Sequence, residues 1–316
     1  MGRVSLIVNG QARSADDRAI GRVRQAFADA GVQVDLRIVS AADLEAAVRA
    51  AADTGIVAVG GGDGTQSTAA AVLVGTGATL IPVPVGTMNH FARRLGIGSA
   101  VDAARAVTEG HPMQVPVGSV NGRAFINNVS LGIYPRFIRT RERLRPTMGY
   151  AVANGVAGLH ALWRLRRVMI NIEACGRERD RSVAGMWIGL GRGSFQLPEN
   201  AEPIAARSFE VVIAPGRTRL RLVADAIRTV ATLRRGEPPH LAGLETLHAP
   251  VVKLRCPGLL DLARDGEAER VTPPVTLIVL ERALEVKALE PLRAADSPMP
   301  CADQAPAGWG PTMSAG

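Results

Sequence analysis

The chain has 316 residues, 47% of them hydrophobic and only 3% aromatic, with 37 Lys+Arg against 29 Asp+Glu, a net charge of +8 and a pI near 10.5. That size and apolar content suit one large domain or two ordinary ones with a sizeable core. The basic balance favours an anionic partner such as nucleotide phosphate or a membrane surface, while the shortage of aromatic stacking platforms argues against nucleic acid.

The first residues, RVSLIVN, read as a strand and show no signal-peptide pattern. VSLIVN (4–9) is followed by a helix over 16–30, with Ile20, Val23 and Phe27 at helical spacing and Gly31 at its end. VQVDLRIV (32–39) alternates as a strand, and Ser40 or Asp43 can cap the next helix, which runs to about Ala52. GIVAVG (55–60) is a continuous apolar run of the kind a parallel sheet buries. A glycine turn, a helix over 65–74, a strand over 78–85 and the stretch GTMNHFARRLGI complete a βαβα order, which predicts a parallel sheet covered by helices.

The pattern changes near residue 112. QVPVGSVNGRAFINNVSLG predicts a hairpin around Asn121-Gly122. Further strands are expected at 168–175, 182–190, 209–214, 251–256 and 275–280, with helices near 149–163 and 219–234. Pro146–Trp163 lacks Asp, Glu, Lys and Arg but contains Gly, Asn and His, so it reads as a buried or interfacial helix rather than a membrane span. The expected organisation is an α/β domain over 1–113, a mainly antiparallel β domain over 114–291 and a disordered tail over 292–316, rich in Pro, Ala, Gly and Ser. Cys175, Cys256 and Cys301 form neither a disulfide framework nor a C-x-x-C metal pattern, which suits a reducing cytoplasm.

Chemistry concentrates in VAVGGGDGT (57–65). Glycines between a strand and a helix allow close backbone approach at a helix N-terminus, where free N–H groups favour phosphate. Thr65 can cap the helix or donate its hydroxyl to a phosphate oxygen. Asp63 makes sense if it binds a ribose hydroxyl, orients a metal or its water, or handles a proton. The Walker A pattern is excluded because no lysine precedes Lys253, and the dinucleotide fingerprint fails at Thr65. A second Gly-Thr pair, Gly86-Thr87, ends the next apolar strand with Asn89 beside it. In a parallel sheet both pairs face one crevice at the C-terminal strand ends.

GGGDGT followed by PVGTMNHFARRLGI resembles the diacylglycerol kinase catalytic family, which includes bacterial lipid kinases and sphingosine kinases. FINNVSLGIYP (125–135) and RDGE (Arg264–Glu267) resemble later segments of that family. The resemblance implies a two-domain lipid kinase: an α/β nucleotide domain like those of phosphofructokinase and NAD kinase, and a β-sandwich. Gly61, Gly62, Asp63, Gly64, Thr65, Gln66 and Ser67 would surround the phosphates of ATP bound with Mg²⁺, and Thr87 would touch the same nucleotide. Ser40 stands where the family has a threonine, and Asn9 keeps the Asn of the family's Asn-Pro. Glu267, or the Asp265–Glu267 pair, would take the proton of the acceptor hydroxyl, with Asp63 as a third catalytic carboxylate. No protein metal site is expected, since Ala206-Arg207 replaces an Asp-Gly pair that helps to hold Mg²⁺ in many bacterial members. His90 replaces the usual Asp, and Gly10 the usual Pro.

The expected acceptor is diacylglycerol or a related lipid, met by a cytoplasmic protein at the inner membrane face. The arginines of YPRFIRTRERLRP (Arg136, Arg139, Arg141, Arg143 and Arg145) would approach its headgroups. The alternatives are a nucleotide- or lipid-binding regulator without turnover, and an NAD kinase-like enzyme.

Overall fold

The computed structural model describes residues 4–11, 16–86, 89–164, 167–190, 207–216 and 244–289. The expected helix over 219–234, the tail over 292–316 and Thr87 lie outside them. The chain forms two compact units, one drawn from Met1–Asn128, Gly189–Phe209 and Leu277–Ser297, the other from Val129–Ile188, Glu210–Thr276 and Pro298–Gly316.

In the first unit β1 (Val4–Asn9), α1 (Asp17–Asp29), β2 (Val34–Val39), α2 (Leu44–Ala51), β3 (Ile56–Gly61), α3 (Asp63–Leu73) and β4 (Thr79–Pro84) alternate. The four strands are parallel in the order β2-β1-β3-β4. Every residue of β1 is buried, as are Val57–Gly61 of β3, which is why both read as unbroken apolar runs. Asp16 caps α1 by accepting from the Ala19 N–H at 2.7 Å. Val23 and Phe27 are buried on its inner face, and Gly31, at φ +70°, lets the chain turn out of the helix. α4 (His90–Arg94) and α5 (Ala100–Glu109) follow, then β5 (His111–Val120) and β6 (Arg123–Phe125). Asn121 and Gly122, at φ 47° and 81°, make the expected two-residue turn between these last strands.

The second unit contains β7 (Asn128–Gly132), α6 (Ile133–Trp163), β8 (Val168–Ala174), β9 (Arg177–Leu190, through Ile188 in this unit), β10 (Phe209–Pro215, from Glu210), β11 (Glu245–Ala249), β12 (Val251–Arg255), β13 (Leu260–Arg264) and β14 (Glu267–Val271). β9 and β12 flank β8, and β7 and β14 flank β13, all antiparallel. Cys175, in the β8–β9 turn, is disulfide-bonded, which the number and spacing of the cysteines do not signal. α6 is twice the expected helix, because it begins in the arginine run, and it is broken at Gly149 (φ 71°, ψ 173°). No described helix is long and apolar enough to cross a membrane.

β15 (Val275–Ala288) extends eight residues beyond the apolar run 275–280 (288 − 280 = 8). From Leu277 onward it belongs to the first unit, antiparallel to β5 with a register shift between Leu280 and Leu284, and its Glu285 and Val286 pair in parallel with β4. Leu284, Val286 and Ala288 thereby join the core built by β1, β3, β4, α1, α3 and α5. The fold is thus an α/β part on a parallel sheet and a mainly antiparallel β part.

Candidate functional site

Because β1 to β4 are parallel, their C-terminal ends lie along one edge of the sheet. This brings together Asn9 at the end of β1, Ser40 after β2, Gly61-Gly62 at the end of β3 and Gly86 after β4. The glycines answer first to one another. A Cβ on Gly86 would stand 2.4 Å from the Gly62 Cα, and one on Gly61 would meet the Thr65 side chain at 2.4–2.5 Å. A Cβ on Gly60 would touch a Val8 methyl at 3.0 Å. Gly62 and Gly86 therefore pack backbone against backbone, which the Val85 N–H···O=C Gly61 bond (3.2 Å) reinforces.

The helix after the first turn starts at Asp63, two residues earlier than expected, with extended Gly62 as its N-cap and no capping side chain. The first closing bond is Gln66 N–H to Gly62 C=O at 3.0 Å. The N–H groups of Asp63, Gly64 and Thr65 find no acceptor among the described residues, leaving the positive end of α3 open. Thr65 is not the cap: it is buried, and its Oγ1 accepts from Asn9 Nδ2 at 3.1 Å. Its hydroxyl proton has no acceptor among the described residues. Asn9 Oδ1 in turn accepts from the Gln11 N–H at 3.0 Å. The first strand thus reaches the glycine turn through the one residue that survives from the family's Asn-Pro.

Asp63 is half-buried at the first position of α3, and its Oδ1 accepts from the Phe91 N–H at 3.3 Å. One carboxylate thereby serves the N-termini of α3 and α4, while Oδ2 is bonded to nothing among the described residues. Asn89, in the left-handed region at φ 51°, closes the second turn on itself: Gly86 N–H donates to its Oδ1 at 3.0 Å, and its Nδ2 donates to the Gly86 carbonyl at 2.7 Å. Asn89 is a turn-former placed beside the first glycine turn. Gln66 lies deeper, clamping β3 to β4 by donating to the carbonyls of Val59 (2.7 Å) and Val83 (3.4 Å), with its Oε1 buried and unpaired. Ser67 is buried on the same helix. Ser40 holds the chain after β2, donating to Asp43 Oδ2 at 2.6 Å and accepting from the Asp43 N–H at 3.3 Å.

Arg94, at the end of α4, is a further polar group of the first unit. Arg93 is exposed, but Arg94 points inward: Nη2 donates to the Leu190 carbonyl at 3.3 Å, and Nε is buried without a partner among the described residues. Burial lowers its pKa to about 10. The signal was available, because Arg94 follows buried Phe91 by three residues on a short helix.

In the second unit, RDGE is a hairpin turn. Asp265 and Gly266, at φ 46° and 88°, join β13 to β14. Glu267 opens β14 opposite Arg264 and is exposed, and Asp265 is half-buried. The turn presents both carboxylates at the tip of a rigid ladder. Among the described residues no three His, Cys, Asp or Glu side chains are grouped to hold a metal.

Residues 3–120 match the family model described as the diacylglycerol kinase catalytic domain. An Escherichia fergusonii protein described as probable lipid kinase YegS is 31% identical over 211 residues, which cover 62% of this chain and 69% of that protein. The chain belongs to this lipid kinase family. The Salmonella heidelberg (strain SL476) YegS protein is 30% identical over 200 residues, so this family member spans 64% of that relative's length. A crystal structure of a diacylglycerol kinase from Bacillus anthracis str. Sterne has the same fold, with a TM-score of 0.65 at 18% identity, covering 91% of this chain and 97% of its own. A second structure from that organism reaches 0.71, also at 18%.

Proposed function

We propose that this protein is an ATP-dependent kinase that phosphorylates a hydroxyl of diacylglycerol or a related lipid. The observation that carries the reading is the N-terminus of α3, where among the described residues three N–H groups and Asp63 Oδ2 have no partner and the Thr65 hydroxyl lies beside them, at the sheet edge where β3 and β4 end. Unpaired backbone donors at a positive helix end suit phosphate oxygens. Asp63 Oδ2 suits a water of a phosphate-bound cation. These donors fit ATP with Mg²⁺, which supplies the transferable phosphoryl group and neutralises its charge.

In this reading Gly61, Gly62, Gly64 and Thr65 form the phosphate cradle. Gln66, Ser67, Asn89, Asn9 and Ser40 support the cradle rather than touch phosphate, because their polar atoms are engaged with the protein or buried within it. The acceptor hydroxyl oxygen attacks the γ-phosphorus, the bond to the ADP oxygen breaks, and the hydroxyl proton passes to Glu267, assisted by Asp265. The first unit would then be the nucleotide domain and the second would carry the acceptor, at the cytoplasmic face of a membrane.

ADP release from Mg-ATP, with and without mixed micelles of diacylglycerol, monoacylglycerol, ceramide or sphingosine, tests the reading. One lipid should stimulate release, and Glu267→Gln should abolish the stimulation in a folded protein. ATP binding without release in any micelle would instead support a regulator, the reading that His90 and Gly10 favour. Release with NAD alone would indicate an NAD kinase-like enzyme.

A further inference from the structure

The second unit holds a helix that buries its small residues and exposes its large apolar ones. After the break at Gly149, α6 buries Ala153 (0% exposed), Ala157 (0%) and Ala161 (2%), while Val152 (56%), Val156 (41%), Leu159 (68%) and Trp163 (73%) stand outward. The outward residues recur at i, i+4, i+7 and i+11, one continuous stripe. An exposed apolar stripe of this kind is the mark of an interaction surface.

The other arm of α6 is strongly basic. It carries Arg136, Arg139, Arg141, Arg143 and Arg145 against the lone acid Glu142. The arms fold back on each other: Arg136 Nη1 donates to the Arg164 carbonyl at 3.0 Å, and Thr140 Oγ1 lies 3.3 Å from His160 Nδ1. Asp261 engages Arg139 at 2.7 Å and Arg136 at 3.9 Å, and Glu142 engages Arg141 and Arg145. Arg143 is exposed and has no partner among the described residues. Arginines and an apolar stripe thus lie side by side on one hairpin.

We propose that the α6 hairpin docks on an anionic lipid bilayer, with Val152, Val156, Leu159 and Trp163 entering the acyl boundary and the basic arm meeting the phosphates. Apolar area supplies grip and arginine supplies preference for anionic lipid. A second copy of the chain would satisfy the stripe but gains nothing from the basic arm, so charge complementarity selects the membrane. The inference deepens the lipid-kinase reading, since a lipid acceptor must be met at a bilayer, yet it is measured without turnover.

The test is co-sedimentation of the full chain with phosphatidylcholine vesicles, with and without about one third phosphatidylglycerol. The wild type should sediment with the anionic vesicles and be released by salt. The Leu159→Asp/Trp163→Asp double variant should bind at least about tenfold more weakly, and Arg143→Glu should weaken anionic binding alone. Both variants should keep the wild-type melting temperature and, on a monomeric short-chain diacylglycerol, the wild-type rate of ADP release. A kinase reading that fails leaves the sedimentation result standing. Equal sedimentation of wild type and double variant overturns the docking proposal. So does a wild-type dimer that the double variant splits, which would assign the stripe to a second copy.

Discussion

A methyl group at position 86 has nowhere to go, because the Gly62 Cα lies 2.4 Å from where it would stand. Neither turn can retreat: Asn89 pins one through two hydrogen bonds, and α3 starts directly from the other. Gly86→Ala is therefore expected to destabilise the first unit by about 3 kcal/mol in chemical denaturation, and a loss well under that would show that the turns are not in contact. Asp63 separates fold from chemistry. Asn in its place keeps an oxygen to accept from Phe91 but loses the charge. Asp63→Asn should shift stability by no more than about 0.5 kcal/mol while ADP release falls by about a hundredfold. Equal losses in both would make Asp63 a cap and nothing more. Arg94 behaves in the opposite way. Its guanidinium is desolvated, with Nε unpaired among the described residues, so Arg94→Met should leave the ligand-free protein as stable or more stable, by up to about 1 kcal/mol. A clear loss of stability on thermal melting would mean that the buried charge has found compensation.

At the scale of elements, Asp261 of β13 anchors the basic arm of α6 and also pairs with Arg270 of β14 at 3.2 Å. Burial pushes its pKa up, but hydrogen bonds and charge from Arg139 and Arg270 outweigh that and hold the carboxyl below the ordinary aspartate range. A depressed folded-state value means stability that is fully present above the unfolded pKa of about 3.9 and is lost as pH falls through the folded value. Wild type should lose stability below pH about 4 more steeply than Asp261→Asn does. Parallel curves would remove Asp261 from the account. The same residues show why these elements were hard to read. β1 and β3 announce themselves as apolar runs, and the pair of glycine turns shows in the sequence because few other residues fit there. LDLAR and EAERV do not announce a hairpin, because their charges pair across the strands (Arg264 with Glu269, Arg270 with Asp261) and blur the alternation. The end of β15 is masked by Glu281 and Arg282 at its register shift. The first arm of α6 hides behind arginines whose partners lie on another element. What the sequence could not convey about the site was a set of bonds between distant segments, Asn9 to Thr65 and Asp63 to Phe91, for which no local pattern exists.

For the molecule as a whole, a net charge of +8 draws any polyphosphate weakly, so nucleotide affinity alone says little about a built site. Location is the better discriminator. Ligand that binds only the folded state stabilises it by about 2.7 kcal/mol at a hundred times its Kd, and a site at the N-terminus of α3 must take up the N–H groups of Asp63, Gly64 and Thr65. Mg-ATP should therefore slow amide hydrogen exchange over residues 60–67 and 86–91. Exchange in β7, β8 and β12–β14 should change less, because those strands belong to the other compact unit. Inorganic triphosphate at equal ionic strength should reproduce part of the protection over 60–67, because the cradle there is made of phosphate donors. Protection spread evenly over the arginine-bearing surfaces, and erased by moderate salt, would reduce the effect to counterion binding. The open end of α3 would then be a helix terminus without a ligand.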